Sequence, residues 1–301
     1  MPGVGDVEAA VRVAQRTIAD ARRRGAKLIV FPEATIGGYI LTRTSDGSMI
    51  KIAPSPLVES EEVFLRLRAA AGDAVVCIGY SEMNPDGGHP FASAVCISGD
   101  GVLGNQRKVH VPPGERGLFA AGDSFTAFDT PVGRLGMLLC YDKSFPEAAR
   151  KLTLDGADAI ACLSAWAMSS QAARRTRSDR LVRQFNAIDV TRAIENQVVW
   201  VSSNQVGLHG GLRFPGQSKV VDPHGRILAS TGGRSGMAVA RIDPVTATRA
   251  VRLEISHLED RVPGAYPPMG DHGTPVPVDD HVGLGIEPPL AGPGIPIAAT
   301  A

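Results

Sequence analysis

A mixed α/β fold is predicted for this 301-residue chain by two features. Short apolar runs rich in Val, Ile and Leu alternate with amphipathic helical patterns, and several of those runs are joined by tight hairpin turns. Hairpins within an interleaved α/β order imply mixed sheets rather than a purely parallel one. A third observation narrows the class. No GxGxxG follows an early strand and no Walker loop occurs, so nothing supports nucleotide binding.

The elements follow in chain order. VEAAVRVAQRTIADARRR, residues 7–24, places apolar residues three and four apart, with Asp6 as N-cap and Gly25 as the stop. AKLIVFPE is a short strand ending in Pro32-Glu33. A second helix covers residues 61–71, and DAVVCIGYSE and PFASAVCISGDG are adjacent strands. Gly99-Asp100-Gly101 turns the second of these back into VLGNQRKV. Beyond the loop VPPGERG come a hairpin and strand in FTAFDTPVGRLGMLLC, a helix in SFPEAARKLTLDGA and a strand in DAIACLSAW. A long helix carrying Arg180, Phe185 and Arg192 ends near Asn196. QVVWVSSNQ is a strand, SKVVDPHGRILASTG a hairpin about Pro223-His224-Gly225, and SGMAVARID a further strand. Residues 1–265 form one domain. Residues 266–301, dense in Pro and Gly and without periodicity, are a tail expected to order only on a partner.

Composition removes whole classes of function. Hydrophobic residues make up 44% and charged residues 21% of the chain, which is globular composition. Lys+Arg and Asp+Glu number 31 each, so no net charge recommends nucleic acid or an anionic membrane surface. No apolar run is long enough to span a bilayer. MPGVGDVEAA lacks the basic-then-apolar pattern of a secretory leader. The four cysteines, Cys77, Cys96, Cys140 and Cys162, form no CxxC pair, so neither a metal site nor a redox motif is expected. Reduced thiols in a cytoplasmic protein are the simplest reading.

Chemistry is concentrated where strands stop. Glu33 follows LIVFP, Lys108 follows VLGNQR, and Cys140 follows GMLL. Strand ends are where α/β folds collect ligands. Each of these residues alone reads as structural or merely exposed; the combination is what points to catalysis. A thiol becomes nucleophilic by losing its proton, and a nearby cation or helix start favours the thiolate. Lys108 supplies the cation, and Cys140 precedes the helix that opens at Phe145-Pro146-Glu147. Glu33 is suited to take the proton and return it to a leaving group. Histidine could serve instead. Of the seven, His110 lies near Lys108, and spacing alone leaves a Cys-His pairing open.

FPE at 31–33, RKVHVPPGE at 107–115 and CYDKSFPE at 140–147 resemble the three signature blocks of the nitrilase, or carbon-nitrogen hydrolase, superfamily. LSAW at 163–166, RAIEN at 192–196 and GQSKVVDPHG at 216–225 follow in the order expected of that family. The resemblance implies a four-layer αββα sandwich and a Glu-Lys-Cys triad. Glu33 would be the general base and acid, Lys108 the transition-state stabiliser and Cys140 the nucleophile. Glu115 matches a second glutamate that positions substrate or water; otherwise it is a surface carboxylate. The turn at Cys140 would aim the Tyr141 N–H at a developing oxyanion. No metal or organic cofactor is implied, and the partner is a small-molecule amide. A homodimer or higher homo-oligomer is implied as well. Members usually begin with an apolar strand ahead of a loop like MPGVGD. None is read here, so the first strand of the sandwich is expected to be missing.

The implied reaction is hydrolysis of a non-peptide C–N bond through a thioester. Tyr141-Asp142 after the cysteine resembles the amidase-like branch more than the Trp-Glu of true nitrilases, with an N-carbamoyl substrate second and a nitrile third. Trp166, which ends the strand after the nucleophile helix, is a pocket candidate or a core residue. Tyr39, Phe119 and Asn204 either face substrate or pack and cap. Cys162 reads as a buried inert thiol. Arg192, Glu195 and Asn196 read as ion-pair and capping residues. A non-catalytic binding sandwich is the rival from another class, and it would have no use for all three triad residues.

Overall fold

The computed structural model describes residues 6–39, 41–43, 49–51, 53–58, 61–169, 178–209 and 211–265. The 266–301 tail lies outside the described residues. The chain opens with α1 (Val7–Arg23), whose Asp6 side chain accepts the Ala9 N–H at 2.9 Å. Ala10, Val11, Ala14, Ile18 and Ala21 bury one face of it, the spacing that the sequence pattern predicts. Gly25 ends it at a φ of +80°, where a side chain is strained.

β1 (Leu28–Val30) and the pair β2 (Leu41–Arg43) and β3 (Met49–Lys51) follow, then α2 (Glu62–Ala71). β4 (Val75–Glu82), β5 (Phe91–Ile97) and β6 (Val102–Arg107) form the first sheet, in the order β1-β4-β5-β6. β1 runs parallel to β4, and the rest is antiparallel. The predicted turn at residues 99–101 joins β5 to β6, with Ser98 N–H bonded to Gly101 O at 2.9 Å.

The second half holds β7 (Phe128–Thr130), β8 (Gly133–Leu139), α3 (Pro146–Leu154), β9 (Ala159–Ser164), α4 (Arg180–Asn196) and β10 (Val199–Asn204). The hairpin β11 (Val206–His209) and β12 (Leu212–Pro215), then β13 (Lys219–Val221), β14 (Ile227–Ser230) and α5 (Pro244–Glu254), complete it. The second sheet has the order β14-β13-β10-β9-β8-β7, parallel across β8-β9-β10 and antiparallel at its flanks. Both sheets are therefore mixed.

Strand alternation builds the layers. In β4, Val76, Ile78 and Tyr80 point to α1 and α2, while Val75 and Cys77 point to the second sheet. In β8 and β9, Met137, Leu139, Ala161 and Leu163 face the first sheet, and Leu138, Ile160 and Cys162 face α3 and α4. The result is helix, sheet, sheet, helix, as the resemblance implies. Each large apolar side chain buried between layers contributes about 1.5–3 kcal/mol.

Two readings need correction. SGMAVARID alternates like a strand, but residues 235–243 pair with none of the described ladders. Met237 instead packs under the helices of the first sheet, and Ala240 and Ile242 enter the core between the sheets. The second correction is α5, a helix that the sequence pattern hides. Its Asp243 side chain accepts the Thr246 N–H at 2.8 Å and Pro244 occupies its first turn, but only Thr248 and Val251 are buried. A helix with so narrow a buried stripe has little apolar periodicity. Among the described residues no helix is long and apolar enough to cross a membrane.

Candidate active site

The ends of β1, β6 and β8 bring Glu33, Lys108 and Cys140 to one place. Glu33 lies in the turn after β1, followed by Ala34 at a φ of +53°. That turn presses on β4. A Cβ at Gly79 would stand 2.7 Å from Ala34 N and 2.8 Å from Glu33 Cα, so no side chain fits there. The Glu33 carbonyl accepts Gln205 Nε2 at 2.8 Å, which ties the turn to the end of β10.

Lys108 continues from β6, its N–H bonded to Ala92 O and its C=O to Gly122 N, both at 2.8 Å. Its side chain is fully buried. Nζ donates to Glu33 Oε1 at 2.8 Å and to both oxygens of Glu115, at 2.9 and 2.7 Å. Glu33 Oε2 accepts the Ala165 N–H at 2.9 Å, and Tyr39 OH donates to Glu115 Oε1 at 2.6 Å. Two carboxylates thus share one buried ammonium.

Cys140 is 7% exposed and begins the 3-10 turn Cys140–Ser144 at a φ of +45°. A positive φ on a non-glycine residue stores strain and needs support. Asp142 supplies part of it. Its Oδ2 accepts the Leu139 N–H at 3.2 Å and its Oδ1 the His110 N–H at 2.8 Å, with His110 Nδ1 at 2.9 Å from the same oxygen. The thiol turn is thereby fastened to the segment that carries Lys108. From the other side Arg192 on α4 donates to Lys143 O at 3.0 Å and Ser144 O at 3.2 Å. Tyr141 is second in the turn, where a backbone N–H has no partner within the turn itself. His110 is engaged by Asp142 and stacks on Phe145 at 3.6 Å between ring centres.

Electrostatics assign the resting protonation. Burial pushes the Cys140 thiol well above its usual 9.0; the Glu33 and Glu115 charges add to this, against the opposing Lys108 charge and Ala165 N–H. Burial also raises Glu33 above its usual 4.5, with Lys108 opposing. Burial alone would lower Lys108, but Glu115, Glu33 and Cys140 outweigh it and hold the ammonium well above 10.5. Burial thus favours the protonated thiol at Cys140, with the Glu33 carboxylate beside it.

Residues 1–252 match the sequence model of the carbon-nitrogen hydrolase family. The chain belongs to that family. It is 31% identical over 235 residues to an (R)-stereoselective amidase from a Pseudomonas species, covering 78% of this chain and 79% of that protein. It is 32% identical over 234 residues to a nitrilase from Pyrococcus abyssi, covering 76% of this chain and 82% of that protein. The crystal structure of a carbon-nitrogen hydrolase from Helicobacter pylori G27 superposes with a TM-score of 0.72 at 25% identity, covering 88% of this chain and 94% of that one.

The other candidates of this carbon-nitrogen hydrolase divide into two groups. Tyr39 and Phe119 line a small cavity with Glu33, Ala34, Tyr80, Ser81 and Ala92. It measures about 10 Å³, room for one water and not for a substrate. Asn204 and Trp166 are not among the cavity's lining residues. Asn204 Oδ1 accepts the Trp166 N–H at 2.8 Å, and its Nδ2 donates to Trp166 O and Gly216 O at 3.2 and 2.9 Å. Its side chain is committed to holding the Trp166 backbone. Trp166 Nε1 donates to Leu181 O at 3.0 Å, and its ring meets Phe185 edge-on.

A second buried charge cluster lies behind the thiol turn. Lys143 Nζ donates to Asp189 Oδ1 at 2.9 Å, Lys219 Nζ to Asp189 Oδ2 at 2.5 Å, and Trp200 Nε1 to Asp189 Oδ1 at 3.0 Å. Both ammonium groups lie over the Phe185 ring, at 3.1 and 4.3 Å from its centre. Burial raises the Cys162 thiol nearby to about 12, so it is inert as expected. Sequence reading missed Gln205, the Ala165 N–H, the anchoring by Asp142, and Ser81. Ser81 had a visible signal, a hydroxyl directly after the apolar run VVCIGY.

Proposed function

We propose that this carbon-nitrogen hydrolase cleaves a small linear amide through a thioester on Cys140. The observation that carries the reading is the hydrogen-bonded Glu33–Lys108–Glu115 cluster, buried beside Cys140. Cys140 Sγ attacks the amide carbonyl carbon as Glu33 accepts the thiol proton. Lys108 Nζ and the Tyr141 N–H receive the oxyanion. Collapse breaks the C–N bond, and the proton on Glu33 leaves with the amine or ammonia. Water then attacks the thioester, passing a proton to Glu33, and the C–S bond breaks to release the acid. Glu115 fixes Lys108 with two hydrogen bonds and is itself fixed by Tyr39. The covalent route replaces one difficult step by two easier ones.

Amides rank first because Tyr141-Asp142 resembles the amidase-like branch and a relative is named an amidase. Relatives named N-carbamoylputrescine amidases support a carbamoyl substrate as the second reading, and the relative named a nitrilase supports a nitrile as the third. The test is intact-protein mass spectrometry with a panel of small amides, carbamoyl compounds and nitriles, alongside ammonia release. An acyl adduct on Cys140 and its loss in Cys140→Ala are expected. Turnover that survives Cys140→Ala would overturn the scheme.

A further inference from the structure

The cavity beside Glu33 is too small for substrate, and Ser81 and Tyr39 join Glu33 in its lining. Ser81 lies on β4 directly opposite Ala92 on β5, and both line it. Ser81 is 3% exposed, and its Oγ has no hydrogen-bond partner. A buried, unpartnered hydroxyl on a residue that lines a cavity of water size marks a site for an ordered water. Gly79, two residues earlier on the same face, touches the backbone of Glu33, so the site adjoins the general base. The catalytic groups themselves are buried, Glu33, Lys108 and Glu115 to 3% exposure or less and Cys140 to 7%.

We propose that Ser81 holds the water that Glu33 uses to hydrolyse the thioester. The inference rests on the thioester reading above. Once the amine has left, this water's oxygen bonds to the thioester carbonyl carbon and one of its protons passes to Glu33. The C–S bond then breaks, the electron pair returns to Cys140 Sγ, and Glu33 gives the proton back to sulfur. The acid departs, and a new water refills the cavity at Ser81. Ser81 is a positioning residue, and it serves deacylation alone.

The test separates the two half-reactions with 4-nitrophenyl acetate, whose first product reports acylation as a burst and deacylation as the steady rate. In Ser81→Ala the burst should stay within about twofold of the parent while the steady rate falls about tenfold, because only the second barrier rises. Acetylated protein should then accumulate in quenched mass spectra. The swap Ser81→Ala/Ala92→Ser returns a hydroxyl to the same cavity from the facing strand and should recover most of the steady rate. If Ser81→Ala does not fold, Ala92→Val narrows the same cavity and carries the same expectation. Equal slowing of both phases, or no change in either, would overturn the role of Ser81 and leave the thioester standing. Absence of a burst and of an adduct in the parent chain would overturn the thioester reading first.

Discussion

Two buried clusters of three charges sit on either side of the Cys140–Ser144 turn, with opposite balances. Lys108 is one cation between the carboxylates of Glu33 and Glu115. Asp189 is one carboxylate between the cations of Lys143 and Lys219. In the second cluster, Trp200 donates to the carboxylate and the Phe185 ring faces both ammonium groups. Burial and the Lys143 charge nonetheless lower Lys219 from its usual 10.5, with Asp189 opposing. In the first, the surplus charge is negative and falls on a carboxylate whose proton affinity is raised. Burial thus perturbs the odd charge in both clusters, upward for Glu33 and downward for Lys219, and the first cluster lies against the Cys140 thiol.

Removing the central charge of each cluster breaks the comparison most sharply. Lys108→Met leaves two carboxylates facing each other, and activity should fall by at least about a thousandfold, since the oxyanion partner is lost. Asp189→Asn leaves two buried lysines without a counter-charge and should lower stability by about 3–5 kcal/mol. Its activity per folded molecule should survive. Thermal unfolding and kcat measured side by side check both; a large kcat loss in Asp189→Asn below its Tm would merge the two clusters into one functional unit.

Acid should separate the clusters next. Glu33 must be ionised to act as a base, and burial raises it, so kcat/KM should fall as pH drops through a value above 4.5. Burial also acts to raise Asp189, but Lys143 and Lys219 prevail and hold it below 3.8. A lowered carboxylate contributes stability that is present above its unfolded value and lost as pH falls through the folded one. Activity should therefore disappear while the fold is still intact. Parallel pH profiles of kcat/KM and of Tm test this; coincident acid limbs would refute it.

The smallest expected effect concerns the seat of Glu33. Gly79→Ala puts a methyl against the Ala34 and Glu33 backbone and should cost about ten- to a hundredfold in kcat through misplacement of the carboxylate. Tm should move by only a few degrees. An unchanged kcat would mean that the turn tolerates displacement.

How far these features were legible in the sequence depended on distance along the chain. Glu33, Lys108 and Cys140 each end an apolar run, a local signal, and the structure does bring Glu33 and Lys108 to 2.8 Å. The layers followed from alternation in β4, β8 and β9. The Asp189 cluster was invisible, because Lys143, Asp189 and Lys219 come from three remote segments, a turn, a helix and a strand. Asn204 and Trp166 read as pocket candidates from their strand-end positions, yet backbone hydrogen bonds, which leave no trace in residue type, engage the Asn204 side chain. Residues 235–243 alternate without pairing, since packing between layers imposes the same period as a ladder.

The Glu33 turn is anchored by Ala165, 132 residues away, and by Gln205, 172 residues away. Contacts of such range form late, because long loops must close before they contribute. A chain emerging during synthesis therefore holds the Glu33 turn unanchored until the segment with Gln205 arrives, and the seat of that carboxylate is among the last parts of the molecule to be completed.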